Sequence, residues 1–190
     1  MPRRAETRAR LLQTAGTLFY DEGITATGVD AVAHASGFSK PTLYAHFGSK
    51  RDLVAAVLEQ RHSQRREELC AWVDAVADLR ARPLAVFVWL AGWYGRAGAR
   101  GCGFLNAAAE LAHRDDPGRT VVQQEKRWLT DFLTALNREA GLQEPERLAS
   151  QLVLLIDGIA GRVVVWGPDE AQRAVADATR AAETLIAAAE

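Results

Sequence analysis

Thr27-Gly-Val-Asp-Ala-Val-Ala-His-Ala-Ser-Gly-Phe-Ser-Lys-Pro-Thr-Leu-Tyr-Ala-His-Phe-Gly-Ser-Lys-Arg-Asp-Leu53 is the stretch that decides how this chain folds. Thr27 sits where a helix N-cap belongs, three residues before the acidic Asp30. Val29, Val32, Ala33 and Ser36 follow at helical spacing, predicting a short helix over 28–36. Gly37-Phe38 makes a tight corner. Ser39 caps a second short helix over 40–46, with Pro41 tolerated in its first turn because the missing N–H would be unpaired there anyway. Gly48 ends that helix, and Ser49-Lys-Arg-Asp52 opens a longer one over 50–72 in the manner of a capping box.

Two short helices about a glycine corner match the helix-turn-helix pattern. Phe38, Leu43 and Phe47 are expected to point inward, leaving Lys40, Thr42, Tyr44, Ala45 and His46 on or near the outward face. The DNA major groove displays hydrogen-bonding edges and thymine methyls, which short polar groups and a cation can read. Lys40, Thr42 and Tyr44 supply that chemistry, and Ala45 is small enough for close approach. Lys50 offers a charge beside helix N-terminal amides, a combination suited to phosphate.

Helical periodicity continues in both directions, with no strand-like alternation to compete. Upstream, Leu11, Leu12, Ala15, Leu18 and Phe19 form one apolar stripe that stops at Asp21-Glu-Gly23. Downstream, a break at Asp78 to Pro83 precedes a helix to about Arg96, and the four glycines from Gly95 to Gly103 read as a loop or helix end. Further helices are expected over 104–114, 118–140, 145–166 and 169–189. The expectation is an all-α chain of about nine helices.

The 190 residues include 48% hydrophobic and 25% charged, the balance of an ordinary soluble globular protein, with a net charge of −1. The total therefore predicts no bulk attraction to nucleic acid or membrane. Residues 1–62 carry eight Lys/Arg, including Arg3, against six Asp/Glu, so the N-terminal part is the better partner for phosphate. Cys70 and Cys102 make neither a disulfide framework nor a metal cluster and read as inert thiols. No apolar h-region follows Met1, and the most apolar run, Leu152 to Val165, contains Asp157 and Arg162. A cytoplasmic protein with no membrane partner is expected. Asp157 must be paired or wetted, with Arg162 or Arg173 as candidate partners.

The stretch from Thr27 to Leu53 resembles the signature of the TetR family of bacterial transcriptional regulators, with similarity from about Arg4 to Gln60. The most specific part is Ser39-Lys-Pro-Thr-Leu-Tyr-Ala-His-Phe-Gly-Ser-Lys50. Carried over residue by residue, the resemblance places Thr27, Lys40, Pro41, Thr42, Tyr44, His46 and Lys50 against DNA. Ala45 departs from members with a bulky aromatic before the histidine, which removes a base contact there. The resemblance implies a three-helix DNA-binding domain over 1–49. It also implies a helical effector-binding and dimerisation domain over 50–190, with helix 50–72 connecting the two. It further implies a repressor that binds an inverted-repeat operator as a homodimer and is released by a small effector.

The last two helices suit association. Leu148, Leu152, Leu155, Ile156, Ile159, Val163 and Trp166 make a broad apolar face, with Gly158 and Gly161 permitting close approach. Ala178, Ala182 and Leu185 belong to a thinner seam of mostly small side chains on the final helix. Both faces equally suit an internal core, and the resemblance favours pairing with a symmetry mate. Leu152, Ile156, Ile159, Val163, Ala178, Ala182 and Leu185 are therefore the expected dimer residues.

All five tryptophans lie beyond residue 62. Trp89, Trp93, Tyr94, Phe104 and Trp128, with Asn106, Glu110 and His113 as one polar line, are candidates for an apolar effector pocket with a few convergent polar groups. No phosphate-binding glycine loop or metal-ligand spacing is present, so neither an enzyme nor a cofactor is expected. The alternative is an all-helical ligand-binding or adaptor protein without DNA binding, which a low-salt DNA shift would separate.

Overall fold

The computed structural model describes residues 4–97 and 99–190. Arg3 and the N-terminal Met1-Pro-Arg, and Gly98 within the glycine-rich stretch, lie outside the described residues. Nine α-helices and two 3-10 turns account for the regular structure, with no strand among the described residues. They are α1 (Arg4–Asp21), α2 (Val29–Ser36), α3 (Lys40–Phe47), α4 (Lys50–Asp74), α5 (Arg82–Ala97), α6 (Gly103–Glu110), α7 (Pro117–Glu139), α8 (Pro145–Trp166) and α9 (Ala171–Ala187). The 3-10 turns, Leu79–Ala81 and Pro168–Glu170, lead into α5 and α9.

Most helix ends fall within two residues of those expected. The exception is the helix expected over 104–114, which stops at Glu110. Arg119 donates to the carbonyls of Leu111 at 2.8 Å and Ala108 at 3.4 Å, satisfying groups that would otherwise need a continuing helix. Asp116 then accepts the N–H of Gly118 at 2.9 Å and starts α7 one residue early, at Pro117.

The backbone contacts divide the chain into two compact units, and the division is not the expected one at 49/50. Unit one holds residues 1–63 and 103–124, so α6 and the first turns of α7 belong with the helix-turn-helix. Unit two holds 64–102 and 125–190. Both α4 and α7 contribute residues to each unit. A boundary read along the chain cannot register that α6 packs with residues eighty positions earlier.

In unit one, α1 buries Leu11, Leu12, Ala15 and Phe19, the stripe read from its periodicity. The α2 helix ends in a Schellman turn: Phe38 N–H bonds Ala33 O and Gly37 N–H bonds His34 O, each at 3.1 Å. Gly37 takes φ +75°, which a residue with a Cβ adopts at a cost. Gly28, not Thr27, is the N-cap of α2, and it offers no side-chain cap.

In unit two, α5, α8 and α9 pack around Phe87, Leu90, Leu152, Ile159 and Ala182. Trp72 donates its indole N–H to Ala85 O at 3.2 Å, and Gln172 donates to Ala91 O at 3.1 Å. By length and composition α8 could cross a membrane. Its Leu148–Val163 face is packed in the core, and its four charged side chains, Glu146, Arg147, Asp157 and Arg162, are each ion-paired. Asp157 pairs with Lys126 of α7, not with Arg162 or Arg173 as expected, while Arg162 is taken by Glu170 and Asp177. Lys126 lies on the neighbouring helix, out of reach of any reading along α8.

Candidate nucleic-acid interface

Ser39 accepts the N–H of Thr42 at 3.3 Å and shares a 2.8 Å hydrogen bond with its hydroxyl, starting α3 as expected. Gly48 stops it at φ +67°, its N–H on Tyr44 O at 2.9 Å. Ser49 and Asp52 then bond reciprocally: Asp52 N–H to Ser49 Oγ at 3.1 Å, and Ser49 Oγ to the carboxylate at 2.6 Å. That is half of the expected capping box at the start of α4, because the Ser49 N–H bonds Phe47 O at 2.6 Å and not the Asp52 carboxylate.

Leu43 and Phe47 of α3 are buried, and Phe38 is half-buried in the corner before it. Two arginines of α1 lie over this apolar anchor, Arg8 at 5.2 Å from the Phe47 ring and Arg10 at 5.8 Å from that of Phe38. Cation–π contact of this kind favours a fixed seat for α3 against α1. With that side anchored, Lys40, Pro41, Tyr44 and Ala45 are exposed, and Thr42, His46 and Lys50 are half-buried. All are compatible with reaching a groove.

Thr27 is the correction. Its side chain is 1% exposed and its hydroxyl donates to Gly23 O at 2.7 Å, so it ties the α1–α2 turn together and cannot present itself to DNA. Lys40 carries a qualification of another kind. Its ammonium lies 3.1 Å from both carboxylate oxygens of Asp30, an exposed pair that water and a phosphate can compete for.

Two contacts tie the α6–α7 segment to the helix-turn-helix within unit one. Glu110 accepts the N–H of Thr25, in the turn before α2, at 2.6 Å. Arg51, in the first turn of α4, donates Nε to the buried Asp116 at 2.9 Å and Nη2 to Asp115 O at 3.1 Å. The recognition helix is thus bracketed before and after by one segment.

The eight expected effector residues divide between the units. Phe104, Asn106, Glu110 and His113 fall in unit one, and Trp89, Trp93, Tyr94 and Trp128 in unit two. Asn106 and Glu110 line a narrow crevice with Phe19, Ile24, Val54 and Arg61. His113 is exposed in the loop after α6, so the expected polar line breaks at Glu110. In unit two Trp89 and Trp93 stack with centroids 6.4 Å apart, Tyr94 meets Trp93 edge-on at 5.0 Å, and Trp128 stacks on Phe132 at 5.3 Å.

Beside these rings lies an ion pair that the sequence reading missed. Arg65 Nη1 is 3.2 Å from Glu125 Oε1, with side chains 9% and 0% exposed. Burial pulls the Arg65 pKa down, but the fields of Cys102, Glu125 and Tyr94 outweigh it and hold the guanidinium above the ordinary arginine range. A signal existed. Leu58, Arg65, Leu69 and Val73, like Val122, Glu125, Leu129 and Leu136, fall on single helical stripes, so each charge occupies a core position.

The expected dimer residues also need correcting. Leu152, Ile156, Ile159, Val163, Ala178 and Ala182 are buried within one protomer, where α8 and α9 pack on each other and on α5. Leu185 is only partly buried. The outward face of α8 carries Leu154, Gly158, Gly161 and Val165, a second stripe, with Leu154 69% and Val165 67% exposed. A Cβ added at Gly158 or Gly161 would meet nothing within 4 Å.

Residues 11–57 match the model of the bacterial regulatory proteins, tetR family. Over almost its whole length the chain resembles a putative TetR transcriptional regulator from Streptomyces avermitilis. The identity is 31%, the TM-score 0.84, and 96% of this chain and 97% of that one are covered. The chain belongs to the TetR family. The structure of SCO4454, a TetR-family transcriptional regulator from Streptomyces coelicolor, aligns with TM-score 0.88 at 28% identity, covering 97% and 96% of the two chains. The TetR family is one of regulatory proteins rather than enzymes.

Among curated TetR relatives, the HTH-type transcriptional activator FasR of Mycolicibacterium smegmatis is 44% identical over 89 residues. The HTH-type transcriptional regulator TtgR of Pseudomonas putida is 32% identical over 87. These matches cover 44% and 43% of this chain but only 40% and 41% of those proteins' lengths.

Proposed function

We propose that this protein is a cytoplasmic transcriptional repressor that binds an inverted-repeat operator as a homodimer and is released by a small, largely apolar effector. The observation that carries the reading is the presentation of α3. Its apolar side is fixed by Leu43, Phe47 and the Arg8 guanidinium over the Phe47 ring, while Lys40, Tyr44 and Ala45 face outward. Base edges are read by such outward side chains, and Lys50 at the next helix start adds a phosphate contact.

The outward stripe of α8 supports the dimer. Leu154, Gly158, Gly161 and Val165 expose an apolar line that a second copy would cover, with the glycines letting backbones approach. A two-fold dimer presents its two recognition helices about 34–36 Å apart, or a multiple, which requires a symmetric operator. The aromatic cluster of unit two supports an apolar effector. The test is to recover genomic fragments retained by the purified protein at about 150 mM salt and sequence them. An inverted repeat shared by the retained fragments is the expected result. Retention no better than that of random DNA, even at low salt, rejects the reading.

A further inference from the structure

Lys40 is the first residue of α3. The amides and dipole at a helix N-terminus disfavour positive charge, so the stability of α3 does not account for a lysine there. Its ammonium lies 3.1 Å from each carboxylate oxygen of Asp30, which stands in the first turn of α2. The carboxylate makes no other hydrogen bond among the described residues, and the N-cap of α2, Gly28, has no side-chain cap. Asp30 therefore does not cap its own helix. It reaches across the corner to the recognition helix. Both side chains are exposed, and an exposed pair of this kind adds little to folding stability.

The pair changes what this lysine can do at DNA. A free lysine is a point charge on a flexible stem, and it takes the nearest phosphate on any sequence. Here the two Asp30 oxygens fix how the three N–H donors of the ammonium point, and the donors left over face away from the carboxylate. The carboxylate itself repels phosphate, which disfavours a backbone contact by Lys40. A held donor of this kind suits guanine, whose major-groove edge offers two adjacent acceptors, O6 and N7. Adenine offers N7 beside an amino group that repels an ammonium. We propose that Asp30 is a positioning residue for base reading: it keeps Lys40 off the phosphates and commits it to a guanine in each operator half-site. The inference rests on the operator-binding reading above.

The experiment uses the full chain and a random-sequence duplex library, from which bound DNA is selected and sequenced. The parent, Asp30→Ala, Lys40→Ala and the double variant are compared. The parent is expected to fix a guanine in each half of an inverted repeat. Asp30→Ala and Lys40→Ala should each relax that preference by at least about fivefold, and the double variant no further than Lys40→Ala. On one scrambled duplex, Asp30→Ala should bind more tightly than the parent, with a salt slope steeper by about 1, because the freed Lys40 takes a phosphate. If Asp30→Ala fails to fold by circular dichroism, Asp30→Asn, which removes the charge at the same size, carries the same expectations. A structural role alone would lower Tm and weaken all sequences alike with base preferences intact, and that result overturns the proposal. So does a guanine that survives Asp30→Ala, a Lys40-dependent position that is not guanine, or an unchanged salt slope. A parent that enriches no inverted repeat removes the operator-binding reading and this inference with it. A parent that enriches one without an Asp30-dependent guanine removes this inference alone.

Discussion

The carboxylate of Glu110, the last residue of α6, accepts the backbone N–H of Thr25 at 2.6 Å, in the turn that leads into the helix-turn-helix. A residue expected in an effector pocket thus holds the DNA-binding unit in place. Glu110→Ala should lower stability by about 1 kcal/mol, the usual net worth of such a bond. For a chain of this size that corresponds to a Tm lower by roughly 2–4 °C. Glu110→Gln, which keeps an acceptor oxygen, should lose less. Thermal unfolding followed by circular dichroism checks this, and an unchanged Tm for the alanine variant would show that the contact contributes nothing.

Two glycines of unit one should respond oppositely to alanine. Gly23 has φ +99°, and a Cβ there would stand 3.3–3.4 Å from the Glu110 carboxylate oxygens. Gly23→Ala combines backbone strain with crowding and should cost about 1–2 kcal/mol. Gly16 lies within α1, and its Cβ would meet Val57 at an ordinary 3.6 Å. Gly16→Ala should stabilise by roughly 0.5–1 kcal/mol, as expected of a helix interior with room to spare. Urea unfolding of both variants gives the signs directly.

DNA binding should divide between position and sequence. Lys50→Ala should weaken binding about equally on all sequences and reduce the salt slope by about 1. Tyr44→Ala or Thr42→Ala should relax the preference at particular base pairs, at roughly 1–3 kcal/mol each. Asp30→Ala frees Lys40 from its exposed partner and should raise affinity for DNA of any sequence. Fluorescence anisotropy on operator and scrambled duplexes across salt concentrations tests all of these. Folded variants that bind as the parent does would remove α3 from the interface.

The two faces of α8 should behave differently under a buried charge. Leu154→Glu or Val165→Glu, on the outward stripe, should convert a dimer into a folded monomer in sedimentation at micromolar concentration. Ile159→Glu, at a core position, should unfold the protomer itself, because an unpaired carboxylate there has no partner. Outward variants that leave a dimer intact would place the interface elsewhere.

Breaking the buried ion pair should cost more than removing it. Glu125→Leu leaves the Arg65 guanidinium buried without its carboxylate, and a loss of about 3–5 kcal/mol is expected. The double variant Arg65→Met with Glu125→Leu should recover most of that loss. A double-mutant cycle in urea measures the difference. Single and double variants of equal stability would show that the pair is not energetically coupled.

The helices were legible from spacing, and so was the helix-turn-helix. The caps at Ser39 and Ser49, the glycine stops and the inward Leu43 and Phe47 are local features, set by residues within four positions of each other. Spacing does not show which way a side chain is turned. Thr27 reads as a cap and a DNA contact, but its hydroxyl is turned in to Gly23 O, and Glu110 lines a crevice while its carboxylate also reaches Thr25 in the α1–α2 turn.

The sequence by itself determined an all-helical TetR-family chain with its recognition helix at Lys40–Phe47, because helix periodicity and capping are decided by neighbours along the chain. Only the tertiary structure decided which stripe of α8 is core and which is free. Both stripes are apolar at 3–4 residue spacing, and packing against α5 and α9 selects between them. It alone decided that Arg65 and Glu125 meet in the interior. Two charges on separate helices read as solvated until the fold removes water from both.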